Sequence, residues 1–272
     1  MINFVVATHT ESLPIIKFYN LKQIKSDHMF QVFRNVYSNI FLIITGIGKI
    51  RSASATMYLY GVHTKLKNQI WINIGICGHK NYSLGNGYLV NKITDKSSNQ
   101  NFYPIQAFSH NFFTSSCITC DKPNINYCKS LYDMESSGFF CTALKFSTSE
   151  LIHLFKIISD NETNKINIKE KPYISGLIKD NLNLIDTLVK KLKMINKINY
   201  RKTKCQNDEI EKQYFYFCKN FDFNKNEQCE LKNVLEDWNY LENFESPIKY
   251  LKIKKISKEE ILKRLRNKLK HD

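Results

Sequence analysis

Phe41-Leu42-Ile43-Ile44-Thr45-Gly46-Ile47-Gly48-Lys49 decides the architecture. A short apolar run closed by a turn reads as a strand buried on both faces. Gly46 and Gly48 then turn the chain. Beyond them Ile50, Ala53, Ala55, Leu59 and Val62 mark a helix, with small residues in its first turns that suit close packing on a sheet. Strand, glycine turn and helix together are the building step of a layered α/β fold.

The same step recurs on either side. Ile2 to Ala7 reads as a central strand, followed by the loop Thr8-His9-Thr10-Glu11 and a helical pattern with Pro14 near its start, where the missing N–H does no harm. Ile70-Trp71-Ile72-Asn73-Ile74 is a third strand, ended by Gly75-Ile76-Cys77-Gly78. Tyr88 to Thr94 alternates as a strand does, and Phe113 to Thr119 is a further strand. Met134 to Phe146 has helical spacing. Leu151 to Ile158 is again a buried strand, with Ser159-Asp160-Asn161 leaving its end. One long amphipathic helix is expected through Ile178, Leu182, Ile185, Leu188 and Leu192. The reading is an α/β domain with a largely parallel or mixed sheet. In such sheets ligands bind beyond the carboxyl ends of the strands, where Glu11, Gly48, Gly78 and Asp160 all fall.

After about Asn199 the composition changes. Arg201 to Asp208 is polar and reads as a linker. Tyr214-Phe215-Tyr216-Phe217 opens an aromatic segment, Leu231, Val234, Leu235 and Trp238 lie on one helix face, and Ser257-Lys258-Glu259-Glu260 is a capping-box pattern opening a last helix. Residues 1–198 are therefore expected to form the main domain and 199–272 a basic, mostly helical C-terminal extension. The extension is either a docking subdomain or a partner-binding arm.

The 272 residues carry a net charge of +15, which raises nucleic acid as a partner. The basic residues are scattered, with concentrations at 190–204 and 252–270, and read as solvated faces rather than as a nucleic-acid surface. No run of apolar residues is long enough to span a membrane, and Met1 to Ala7 lacks the features of a signal peptide, so the cytoplasm is the expected compartment. Cys117-Ile118-Thr119-Cys120 has no second cysteine pair at finger spacing and is followed by a turn, which argues for buried thiols over zinc or redox chemistry.

Taken in order, Gly46-Ile47-Gly48, Asn73-Ile74-Gly75-Ile76-Cys77-Gly78, Asp133-Met134-Glu135-Ser136 and Ile158-Ser159-Asp160 resemble the nucleoside phosphorylase and nucleosidase superfamily. The resemblance covers Met1 to Lys193, and its nearest branch is the methylthioadenosine/S-adenosylhomocysteine nucleosidases. It implies a three-layer domain with a central mixed sheet, a homodimer, and cleavage of the N-glycosidic bond of a purine nucleoside without a metal or organic cofactor. It also implies roles. Glu135 would bind ribose hydroxyls, and Met134 would pack on the sugar. Asp160 would act as acid toward N7 of the departing base, positioned by Ser159. Glu11 would activate the attacking water. Ile47, Ile76, Cys77 and Gly78 would line the sugar and base pocket.

Departures from the family pattern leave alternatives open. Phosphorylases of the superfamily carry a Gly-Asp-Pro-x-Arg-like loop after the first strand, and Ala7 to Glu11 has no arginine, which favours water over phosphate. Arg51 beside the glycine turn is an anion-binding candidate that keeps a phosphorylase as the alternative. Nucleosidases place an arginine where this chain has Lys156, and a base-stacking aromatic where it has Asp121-Lys122-Pro123-Asn124. Phe102, Tyr103, Phe112 and Phe113 are the substitutes for that ring. A catalytically degenerate protein that binds a nucleoside or a partner is the rival outside enzymology.

Overall fold

The computed structural model describes residues 1–24, 29–64, 69–123, 128–164, 171–240, 246–251 and 257–270; Asn124 lies outside them. The chain divides into two compact units, Met1–Asn196 and Lys197–Asp272.

The first unit is built on one mixed sheet. β1 (Ile2–Val6) pairs in parallel with β4 (Ile40–Ile44) on one side and with β5 (Ile70–Gly78) on the other. Outside β4 lie β3 (Gln31–Asn35) and β2 (Lys22–Gln23), both antiparallel to their neighbours. On the far side β5 is followed by β9 (Leu131–Asp133), β8 (Phe113–Thr119), β6 (Gly87–Asp95) and β10 (Ile152–Asp160). β10 also pairs in parallel with β5, so these five strands close into a ring. β7 (Asn101–Phe102) is a short addition to β6.

Strand alternation sends side chains into two cores. Ile2, Phe4, Val6, Ile70, Ile72 and Ile74 pack beneath α1 (His9–Phe18), α4 (Lys171–Asp180) and the start of α5 (Leu182–Asn220). Val5, Ile43, Trp71, Leu154 and Ile158 pack against α2 (Lys49–Leu59) and α3 (Ser136–Ala143). Helices on both faces make the three layers that the resemblance implies.

Two local expectations are corrected. The single long helix through Ile178 and Leu192 is two helices, broken at Asn181. There the side-chain amide donates to Gly85 O (2.9 Å) and Leu177 O (3.0 Å), and the Asn181 carbonyl accepts the N–H of Ile185 (3.0 Å). An asparagine can satisfy helix-end groups in this way, which hydrophobic periodicity does not register. The stretch 201–208 is helical and part of α5, not a linker. It contains neither glycine nor proline, so polarity alone does not interrupt a helix.

The second unit holds the last part of α5 with α6 (Lys225–Tyr240), α7 (Pro247–Leu251) and α8 (Lys258–Lys270). Phe217, Leu231, Leu235, Trp238, Ile261 and Leu265 are its buried core. Ser257 caps α8, its Oγ accepting from Glu260 N at 3.3 Å. No described helix is long and apolar enough to cross a membrane.

Candidate active site

The loops at the carboxyl ends of β1, β4, β5, β9 and β10 surround one pocket of about 200 Å³. Glu11, Ile47, Ile76, Cys77, Gly78, Met134, Glu135, Ser159 and Asp160 all line it. Arg51 does not. It is exposed on α2, with its side chain over Gly46, where a Cβ would come within 3.0 Å of Arg51 Cδ.

Glu11 is held by the start of its own helix. Thr8 is the N-cap of α1, and its N–H and Oγ donate to Glu11 Oε2 at 2.9 and 2.6 Å, while Glu11 N donates back to Thr8 Oγ at 3.3 Å. This is a capping box turned toward a pocket. Glu11 Oε1 accepts the N–H of Ile76 at 3.0 Å, which ties the helix to the end of β5. Gly75 allows this approach: a Cβ there would lie 3.2 Å from Glu11 Oε1 and 3.6 Å from Lys156 Nζ.

Glu135 joins the glycine turn to α3. Gly48 adopts φ 111°, a conformation other residues rarely take, and its N–H donates to Glu135 Oε1 at 2.8 Å. Burial, then the neighbouring Asp133 charge, pushes the Glu135 carboxyl up to about 7; Lys156 and the Gly48 N–H act in the opposite direction.

Beneath these groups lies a buried ion pair. Lys156 on β10 meets Asp133 at 2.7 Å, with side chains 1% and 0% exposed. Asp133 also accepts from Ser136 N (2.9 Å) and Oγ and from Thr119 Oγ (3.0 Å). Burial alone would raise its pKa; the lysine and these hydrogen bonds outweigh it and hold the carboxyl low. For Lys156 burial would lower the value, and the charges of Asp133 and Glu135 raise it instead. One cation thus sits against Asp133 and near Glu11 and Glu135.

Asp160 ends β10, half-buried, with Ser159 Oγ donating to its Oδ1 at 2.6 Å and to Cys77 O at 3.2 Å. Cys77 is buried, which pushes its thiol up. His79, which follows the end of β5, lies outside the pocket lining. Its Nδ1 accepts the N–H groups of Asn81 and Tyr82, and its ring stacks on Tyr82 at 3.5 Å.

Sequence reasoning passed over Thr8, Cys120, Tyr132, Asp133 and Ile174, which also line the pocket. The Asp133–Lys156 pair had a visible signal, a charged residue inside each of two apolar runs. Phe102, Tyr103, Phe112 and Phe113 are absent from the described lining; the aromatic residue in it is Tyr132, two residues before Met134. Among the described residues no group of three His, Cys, Asp or Glu side chains could hold a metal ion.

No family model and no curated protein matches this sequence. Solved structures do match it. The apo 5′-methylthioadenosine nucleosidase of Arabidopsis thaliana aligns with a TM-score of 0.54 at 16% identity, over 68% of this chain and 95% of that one. The chain has the nucleoside phosphorylase/nucleosidase superfamily fold. The Streptococcus pneumoniae MTA/SAH nucleosidase in complex with 8-aminoadenine matches this nucleosidase fold with a TM-score of 0.54 at 17% identity, over 70% and 99% of the two chains. A futalosine hydrolase mutant of Helicobacter pylori matches it with a TM-score of 0.50 at 15% identity, over 70% and 98%. These structures are covered almost whole by about two thirds of this chain.

Proposed function

We propose that this chain is a nucleosidase that hydrolyses the N-glycosidic bond of a purine nucleoside. The observation that carries this reading is the meeting of Glu11, Glu135 and Asp160 in one pocket of the nucleosidase fold.

Breaking the bond leaves positive charge on the sugar and negative charge on the base. Glu135, gripped through Oε1 by the Gly48 N–H, offers Oε2 to ribose hydroxyls. Met134 packs on the sugar. Asp160, oriented by Ser159, gives a proton to N7 of the leaving base, a contribution of roughly 100- to 10,000-fold for general acid catalysis. Glu11 is fixed by the two Thr8 donors and the Ile76 N–H and takes the proton of the attacking water. Ile47, Ile76, Cys77 and Gly78 enclose the sugar and base.

Water is favoured over phosphate because the described lining holds no arginine: Arg51, the anion-binding candidate, lies outside it, Lys122 is its one cation, and Lys156 beneath is taken up by Asp133. The protein is read as a cytoplasmic homodimer, the latter testable by sedimentation.

The test is release of adenine from 5′-methylthioadenosine by the purified protein in phosphate-free buffer. Release that is abolished in Asp160→Asn is expected. Strict dependence on added phosphate would move the assignment to phosphorolysis, and no release across a panel of purine nucleosides would overturn it.

A further inference from the structure

Asp95, at the end of β6, is 6% exposed and outside the pocket lining. Its Oδ1 closes a local turn, accepting from Ser97 N (3.1 Å), Ser97 Oγ (2.7 Å), Ser98 N (3.0 Å) and Ser98 Oγ (3.2 Å). A turn needs no more than this. The long-range bonds fall mainly on Oδ2. It accepts from Lys49 Nζ at 3.0 Å, which also reaches Oδ1 at 3.2 Å, and from Ser137 Oγ at 2.7 Å, residues 46 and 42 positions away.

Lys49 directly follows Gly48, and Ser137 stands two residues after Glu135, so both partners adjoin the ends of the Gly48–Glu135 hydrogen bond. Lys49 also pairs with Asp121 at 2.9 Å, beside Cys120 and Lys122 of the pocket wall. The Ser137 N–H donates to Thr119 Oγ (3.0 Å), which donates to Asp133 Oδ1 (3.0 Å), the partner of Lys156. The helix starts are also in tight contact: a Cβ on Gly138 would fall 2.1 Å from the Lys49 carbonyl oxygen. One buried carboxylate therefore joins the glycine turn, the 120–123 loop and the start of α3.

We infer that Asp95 is a positioning residue that, through Lys49 and Ser137, keeps the Gly48 N–H on Glu135 and so sets the grip of the site on the ribose hydroxyls. The inference rests on the nucleosidase reading and adds to it a residue that touches no substrate. With the clamp loosened, the start of α2 and the start of α3 shift against one another, and Glu135 loses the donor that aims its second oxygen. The loss falls on recognition of the ribose hydroxyls, not on the base or on water.

The experiment compares kcat/KM for 5′-methylthioadenosine with that for its 2′-deoxy analogue, in the wild type, in Asp95→Asn and in Lys49→Met. Asp95→Asn keeps the shape and the acceptor of the local turn and removes one of the two charges that hold Lys49, leaving Asp121. Lys49→Met removes the other half of the pair from a partly exposed position, and keeps the test usable should the first variant fold poorly. The wild type should prefer the ribonucleoside by roughly 100-fold or more, as sites built around a substrate hydroxyl do. In both variants that preference should fall about tenfold, the order of one lost aligned hydrogen bond. A preference unchanged in both variants, with only a lower melting temperature, would make Asp95 purely structural and overturn the inference while leaving the nucleosidase reading intact. Absence of release by the wild type would instead overturn the underlying reading.

Discussion

Glu135→Gln should stabilise the protein above neutral pH while damaging its activity. The Glu135 side chain is buried, and its carboxyl is raised from 4.5 to about 7 in the folded state. A carboxyl raised in this way favours folding most when protonated. The unfolded chain releases the proton near pH 4.5 and the native state only near 7, so stability is lost as pH climbs between those values and is level beyond them. At ~1.4 kcal/mol per pKa unit, the charged form costs about 3 kcal/mol at pH 8. Glutamine keeps an acceptor for the Gly48 N–H and removes the charge. Its melting temperature at pH 8 should exceed the wild-type value by roughly 6–12 °C, taking about 2–4 °C per kcal/mol for a domain of this size. At pH 5 the same comparison should shrink to under about 1 kcal/mol. Thermal melts followed by circular dichroism at both pH values measure this directly. An equal gain at pH 5 and pH 8, or a glutamine variant less stable at pH 8, would refute the reasoning.

Lys156→Met should cost about 3–5 kcal/mol, because it leaves Asp133 buried without its cation; urea unfolding would measure it, and adding Asp133→Asn should recover a large part. With Asp133 held below and Lys156 above their ordinary ranges, the pair's contribution should be full from about pH 4 to about pH 10 and fade on either side, which melts across that range would follow. Gly138→Ala should destabilise by roughly 1–3 kcal/mol or more, since its methyl group meets backbone and not a movable side-chain tip, and the same unfolding assay checks it.

The layered architecture was legible because buried strands are short, mostly apolar runs closed by turn residues. Phe41 to Ile44 and Ile70 to Ile74 run into glycines, and Leu151 to Ile158 into Ser159-Asp160-Asn161. Nine candidate site residues share a pocket because strand ends in a layered sheet converge. What escaped had other causes. Lys156 inside β10 and Asp133 at the end of β9 are each visible as charges beside apolar residues, but that they pair is not, because their strands lie far apart in sequence. Asp95 acts through residues more than forty positions away, a separation that local pattern cannot bridge. β3 was missed because Gln31 to Asn35 mixes polar and apolar residues, with Val32 and Phe33 its buried members. Asn181 broke a helix by side-chain hydrogen bonding that hydrophobic spacing ignores.

The ring closed by β10 against β5 has a consequence for behaviour at high concentration. Closure removes two would-be sheet margins, and the strands left unpaired on one side among the described residues are β2 and β7, each two residues long. β2 is Lys22–Gln23, exposed and charged. Strands from another molecule find little template there for edge-to-edge addition. The one longer stretch without a second neighbour among the described strands is Phe113 to Ser116 of β8, since β9 pairs only with Cys117 to Thr119, so any edge-to-edge association would start there.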